Sequence, residues 1–161
     1  MILKIRIDDR LLHGQVAYSW KARLGYNAIV IASNEAANDE LRKAALKMCC
    51  PPDTKLATRT IEKAAELLRN EQLKNMKVFV ICANPQSAYE LVKLIEEKPI
   101  INLGSIQMHE GAKLFSKAVY LNDEDISYLD KLVNEGYFVE VQEVPETSMQ
   151  NYESLRAKLS K

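Results

Sequence analysis

Several features that place a chain at a glance are missing here, and each absence removes a class. Only three cysteines occur among the 161 residues, Cys49, Cys50 and Cys82. An odd number with two adjacent gives neither a disulfide framework nor a metal-ligand spacing, so small buried side chains are expected. Histidine is scarcer still. His13 and His109 lie far apart, with no paired cysteine and no His-x-x-x-His spacing, which argues against a metal site. Neither charge is in surplus, with 22 Lys+Arg against 22 Asp+Glu, so nothing suggests a global field for nucleic acid or a membrane surface. No apolar run approaches the roughly 20 residues that cross a bilayer. The N-terminal apolar residues are threaded with charges, unlike the core of a signal peptide, and a cytoplasmic location is expected. Gly-x-Gly-x-x-Gly and Gly-x-x-x-x-Gly-Lys-Ser/Thr are also missing, which removes the fingerprints of dinucleotide and ATP binding. The sequence calls for no cofactor.

What remains is ordinary globular material, 47% hydrophobic and 27% charged, of a length that suits a single domain over 1–161. Short apolar runs alternate with amphipathic segments. Strands are expected at Met1–Ile7, Asn27–Ala32, Lys55–Thr58, Lys77–Cys82, Ile100–Leu103, Ala118–Leu121 and Tyr137–Val141. Between them lie helices. The first carries Val16, Trp20 and Leu24 on its apolar stripe and closes at Gly25. The next is capped at Asn38-Asp39 and carries Leu41, Ala45 and Met48. Others are opened by Thr60, by Asn84-Pro85 and by Asn122-Asp123-Glu124-Asp125, and a final one is outlined by Tyr152, Leu155 and Leu159. The alternation predicts an α/β fold: an open, doubly wound, mostly parallel seven-stranded sheet with helices on both faces. The linker between the fifth and sixth strands is too short for a full helix, which leaves room there for one antiparallel strand.

One loop concentrates the chemistry. Asp8-Asp9-Arg10-Leu11-Leu12-His13-Gly14-Gln15-Val16 joins the first strand to the first helix and crowds two carboxylates, a guanidinium and an imidazole into six residues. Free N–H groups and the positive end of the helix dipole make such a place receptive to an anion, above all phosphate. An imidazole is largely neutral near pH 7 (reference pKa about 6.5), so His13 can attack phosphorus while a carboxylate holds its other nitrogen. Neighbours alternate along a strand end, so one of Asp8 and Asp9 faces the ring, and Asp8 is the choice. Arg10 offers a fork to phosphate oxygens, and Gly14 lets backbone amides approach. The plainer account is a solvated or capping histidine beside a surface ion-pair cluster. For His109 the plainer account is an exposed loop residue, and for Trp20 it is core packing.

This nine-residue stretch resembles the active-site signature of the IIB subunits of the mannose/fructose/sorbose family of phosphoenolpyruvate-dependent sugar phosphotransferase systems. Asn102-Leu103-Gly104 is similar to that family's Asn-Val-Gly-Gly segment, and Val141-Gln142-Glu143-Val144-Pro145 to its Gln-x-Val-Pro ending. Ser105 departs from the usual second glycine. The resemblance implies a phosphohistidine intermediate at His13, formed from a IIA phosphohistidine, with Nδ1 as the phosphorylated nitrogen. Asp8 would orient the ring and Arg10 would stabilise the phosphoryl group. Gly14, Gln15, Gly104 and Ser105 would supply backbone contacts or a second layer. The implied partners are IIA, the membrane subunits IIC and IID, and a sugar of the mannose, fructose, sorbose or N-acetylgalactosamine type. That implies peripheral association with the membrane complex, and a homo-oligomer is compatible with it. Arg6, Lys21 and Arg23 are candidate contributors to a docking face. Competing readings are a non-catalytic regulatory or ligand-binding module on the same scaffold, and a small hydrolase or isomerase with His13 as general base, which needs an enclosed pocket.

Overall fold

In the first strand, β1 (Ile2–Asp8), successive side chains point to opposite faces: Ile5 and Ile7 to one, Arg6 and Asp8 to the other. The structure, a computed structural model, describes residues 1–159. After β1 come α1 (Gly14–Leu24), β2 (Ala28–Ala32), α2 (Asn34–Ala37), α3 (Glu40–Met48), β3 (Lys55–Arg59), α4 (Ile61–Arg69), α5 (Glu71–Lys74), β4 (Val78–Cys82) and α6 (Pro85–Val92). The chain continues through β5 (Ile100–Ser105), β6 (Lys113–Ser116), β7 (Val119–Leu121), α7 (Asp123–Asn134), β8 (Val139–Val141), β9 (Gln150–Asn151) and α8 (Tyr152–Leu159).

Seven strands form one sheet in the order β3-β2-β4-β1-β5-β8-β9, parallel throughout except for the β8–β9 pair. The connection leaving β1 heads toward β2 and one edge. The connection leaving β4 passes β1 to reach β5 on the other side. Right-handed crossovers in opposite directions place α1 and α6 on opposite faces, and ligands of such sheets gather at the strand ends near this reversal. On the α6 face Ile5, Ile7, Val30, Val80, Ile101, Leu103, Val139 and Val141 meet Ala64, Leu68, Leu91 and Leu129. On the α1 face Ile29, Ile31, Phe79 and Ile81 meet Leu11, Val16, Trp20 and Tyr26.

The cap residues do what their chemistry dictates. Thr60, Asn84 and Asp39 each accept a first-turn N–H, Asn122 and Asp125 form a reciprocal capping box, and Gly25 closes α1 at φ 68°. Two expectations need correction. The sixth expected strand, around Ala118–Leu121, is β7. It pairs antiparallel with β6 in a separate hairpin and is joined to the chain just beyond β5 by an Ile106–Val119 bridge. The seventh strand of the main sheet is the two-residue β9, too short to show a period in sequence. In α3 the expected stripe points outward: Leu41 and Met48 are 83% and 88% exposed, while Leu46 is buried. At that edge of the sheet one leucine suffices to seat the helix.

Candidate functional site

β1 ends at Asp8, and a turn closed by the Leu11 N–H on the Asp8 carbonyl (2.9 Å) reverses the chain before α1. Leu11 takes a left-handed backbone, φ 61°, rare for a leucine and costing on the order of 1–2 kcal/mol, yet its side chain is fully buried and anchors the turn. The turn delivers His13 to the N-cap of α1. His13 caps no amide there; its Nε2 lies 2.9 Å from Asp8 Oδ2. Since Asp8 accepts and Nε2 donates, Nδ1 carries the lone pair. The side chain is about one-fifth exposed, 21%, so the ring is reachable while Asp8 beneath it is sealed from water.

Asp8 is held by more than the ring. Arg6 Nη2 and Nε donate to its Oδ2 at 3.0 and 3.2 Å, and the Arg10 N–H donates to its Oδ1 at 3.0 Å. Burial alone pushes the Asp8 carboxyl up, but the His13 hydrogen bond and the Arg6 charge outweigh it and hold the group below its usual range. Burial also lowers the Arg6 guanidinium, and Asp8 opposes that. Arg6 is itself buried, with Nη1 donating to Asn102 Oδ1 at 2.9 Å and to the Gln142 carbonyl at 3.4 Å. Asn102 Nδ2 donates to Glu140 Oε2 at 2.7 Å, and Glu140 pairs with Lys4 at 2.7 Å. A polar chain thus runs Lys4–Glu140–Asn102–Arg6–Asp8–His13, with the neutral Asn102 amide joining two ion pairs. The Trp20 ring lies beneath its cations, 5.1 Å from Lys4 Nζ and 5.8 Å from Arg6 Cζ.

The residues singled out in sequence fall into three groups. His13 and Asp8 are brought together. Arg10 is exposed and, among the described residues, its guanidinium makes no ion pair; Gly14 and Gln15 form the open first turn of α1 beside it, where no side chain caps the amides. Gly104 and Ser105 belong to the buried wall instead. A Cβ on Gly104 would sit 2.3 Å from Arg6 Cζ, and the Ser105 carbonyl accepts the Asp9 N–H at 3.1 Å. The missing Gly104 side chain therefore makes room for Arg6. The three docking candidates are otherwise engaged: Arg6 is buried, Lys21 bonds the Tyr26 carbonyl and Thr54, and Arg23 bonds the Pro145 carbonyl. Trp20 is packed as expected, 1% exposed. Sequence reasoning gave Arg6 a docking role instead of a buried one, quoted Gln142 only within the family-like ending, and missed Glu140. The available signal was polar residues two apart in strands that are otherwise wholly apolar.

Gln142 Nε2 donates to the Thr147 carbonyl at 2.8 Å, and Trp20 Nε1 reaches the Glu143 carbonyl at 3.4 Å. The segment after β8 is thereby strapped across α1. On the far side of the turn a cleft of about 370 Å³ opens among Asp9, Glu35, Arg42, Asn84, His109 and Asp125. Larger clefts of about 820 and 580 Å³, beside Thr60 and Tyr89 and beside Lys43 and Arg59, do not include His13. No group of acidic, histidine or cysteine side chains suited to a metal ion occurs among the described residues, and no helix there is long and apolar enough to cross a membrane.

The fold and the site together define an open α/β protein with an accessible histidine, carboxylate-held, at the N-terminus of the first helix. The family model for the PTS system sorbose subfamily IIB component matches residues 2–161, and the chain belongs to that family. It is 35% identical over 132 residues to the sorbose-specific EIIB component of Lacticaseibacillus casei, covering 82% of this chain and 80% of that one. With the N-acetylgalactosamine-specific phosphotransferase enzyme IIB component 1 of Escherichia coli it shares 32% over 145 residues, 89% and 91% of the two chains. The crystal structure of the IIBSor domain of the sorbose permease from Klebsiella pneumoniae superimposes with a TM-score of 0.93 at 29% identity, over 98% of this chain and 97% of that one. The protein is a IIB component of a PTS, of the type represented by its sorbose-, N-acetylgalactosamine- and mannose-specific relatives.

Proposed function

We propose that the chain is the phosphoryl relay of a sugar transporter, with His13 as the phosphohistidine intermediate. A IIA phosphohistidine docks, and Nδ1 of His13 attacks phosphorus in line. The new N–P bond forms as the donor's N–P bond breaks, and the donor imidazole leaves with the electron pair. Asp8 accepts from Nε2–H and balances the positive charge that grows on the ring. Arg10 and the amides of Gly14 and Gln15 receive the phosphoryl oxygens where the dipole of α1 favours them. Gly104 and Ser105 act one layer below, by seating Arg6 and Asp9. In the second half the phosphoryl group passes to a sugar held by IIC and IID on the cytoplasmic side of the membrane, which makes the chain a protein-phosphohistidine–sugar phosphotransferase. The sugar falls in the class named by the relatives: sorbose, mannose or N-acetylgalactosamine.

The observation that carries this reading is the Nε2–Asp8 bond, which spends one ring nitrogen and leaves Nδ1 as the nucleophile. A fused relative, the mannose-specific EIIAB component of Escherichia coli, supports IIA as donor: 86% of this chain matches 43% of that protein, whose name joins an A and a B unit. One domain over 1–161 fits a family model that runs from residue 2 to 161. The test is phosphoryl acceptance. With phosphoenolpyruvate, the general PTS enzymes and a cognate IIA, one acid-labile phosphate maps to His13 by mass spectrometry, and His13→Ala keeps its fold but takes none. No phosphate from an active cognate IIA would overturn the relay and leave the regulatory or ligand-binding module.

A further inference from the structure

His109 follows β5 in the loop 106–112, and both of its ring nitrogens meet acceptors. Nδ1 lies 2.9 Å from the Gln107 carbonyl, and Nε2 lies 2.8 Å from Asp125 Oδ2. A carbonyl oxygen cannot donate. Asp125 sits in the first turn of α7, where the same Oδ2 already accepts the Asn122 N–H at 3.0 Å. Both ring nitrogens must therefore carry protons, so this geometry requires an imidazolium. The surrounding charges agree. Asp125 and Glu124 of α7, Asp9 of the β1–α1 turn and Glu35 of α2 line the cleft with His109, and Arg42 of α3 is the single opposing cation among the lining residues; α6 and its cap bring the uncharged Gln86 and Asn84. The Gln107 hydrogen bond, then Asp125 and Asp9, push the His109 ring above its ordinary value.

Gln107 is gripped from both ends. Its carbonyl accepts from His109, and its N–H donates to Asp9 Oδ2 at 2.7 Å. Asp9 Oδ1 is buried with no partner, so the Gln107 amide is the donor that holds this carboxylate. Asp9 in turn stands between Asp8 and Arg10 in the turn that delivers His13. We propose that His109 is a positioning residue for His13: as an imidazolium it ties α7 through Gln107 to Asp9, and phosphoryl acceptance falls when His109 loses its proton. Loss of that proton removes one of the two N–H donors, so either Gln107 or Asp125 is released, and Asp9 and Asp125 then repel across the cleft. The sign is fixed by the raised value. The brace is complete below about pH 6.5 and is lost as pH rises through the elevated midpoint.

The inference rests on the relay reading, and two measurements separate their failures. A ¹⁵N titration of the unphosphorylated chain is expected to show both His109 nitrogens protonated near neutrality, a midpoint above about 6.5, and the Gln107 and Asp9 amides moving with that midpoint. In His109→Gln those amides stop titrating. The rate of phosphoryl acceptance from one phosphorylated IIA preparation is then followed against pH. A histidine nucleophile alone levels off with rising pH, whereas the wild type is expected to lose rate several-fold on the alkaline side, with the His109 midpoint, and His109→Gln to be flat there. An alkaline limb that survives in His109→Gln, an absent limb in the wild type, or Gln107 amides indifferent to His109 overturns the positioning role. A wild type that takes no phosphate overturns the relay, and this role falls with it, whatever the titration shows.

Discussion

Arg6 shows how one side chain converts a surface-type residue into an internal fixture. Its charge is buried and neutralised by Asp8 at 3.0 Å, its second nitrogen is spent on Asn102, and its plane fills the space that a side chain at position 104 would need. Removing either partner of such a pair leaves an uncompensated buried charge, typically costing 3–5 kcal/mol. Arg6→Met is therefore expected to destabilise by about that amount in chemical unfolding, and to slow phosphoryl acceptance further than stability explains, because Asp8 loses the partner that fixes its oxygens. Gly104→Ala asks for less space but from a rigid neighbour: the guanidinium must move off Asp8. An expected loss of about 2 kcal/mol or more, within the range of overpacked cores, should come with a shifted His13 ring resonance. An unchanged His13 spectrum in a folded Gly104→Ala protein would show that Arg6 has another place to go.

At the scale of elements, α3 and the strap after β8 mark where local pattern stops being informative. The apolar spacing of Leu41, Ala45 and Met48 is genuine helix period, and α3 is a helix; but burial is decided by what lies opposite, and only Leu46 meets the sheet. Serine at Leu41 or Met48 should change stability by less than about 0.5 kcal/mol, while Leu46→Ala should cost about 2–4 kcal/mol in denaturant unfolding. Equal costs at the three positions would mean that something covers α3 in solution. The longer elements were legible because their signals are local: caps at Asp39, Thr60, Asn84 and Asn122, the stop at Gly25, and continuous apolar runs for β2 and β4; the four-residue α2, α5 and β6 were not expected, being too short to show a period. The His13–Asp8 pairing was legible for the same reason, five residues apart on one turn. The partners of Lys4, Asn102, Glu140 and Gln142 were not, since they lie on strands that are neighbours only after folding, even though Asn102 and Gln142 stood in segments that resemble the family's; and β9 is too short to carry a period. His109 read as a plain loop histidine because Asp125 and Gln107 meet it only through α7 and the turn at Asp9.

On the scale of the whole molecule, β1 is the central fact. It lies between β4 and β5, its apolar side completes the core on the α6 face, and its polar side carries Lys4, Arg6 and Asp8 against Asn102 and Glu140 on the α1 face. Neither half of the sheet can keep its hydrogen bonds or its charge balance without this strand, so the two edges cannot unfold independently. One cooperative transition is expected across residues 1–159, with Trp20 fluorescence, which reports the α1 face, coinciding with far-UV dichroism, which reports the helices and strands of both faces. The same centrality sets the acid response. Asp8 has its carboxyl held below the ordinary range, so its contribution is complete above the unfolded value near 4 and is lost as pH falls through the depressed folded value. Protonating Asp8 releases His13 and leaves Arg6 buried and unpaired in the same event, so the acid transition should take the site and the sheet together. Measured between about pH 5 and pH 2, the His13 ring resonance and the Trp20 signal should change at one midpoint; a His13 change well before Trp20 would mean that the site can come apart while β1 stays in place.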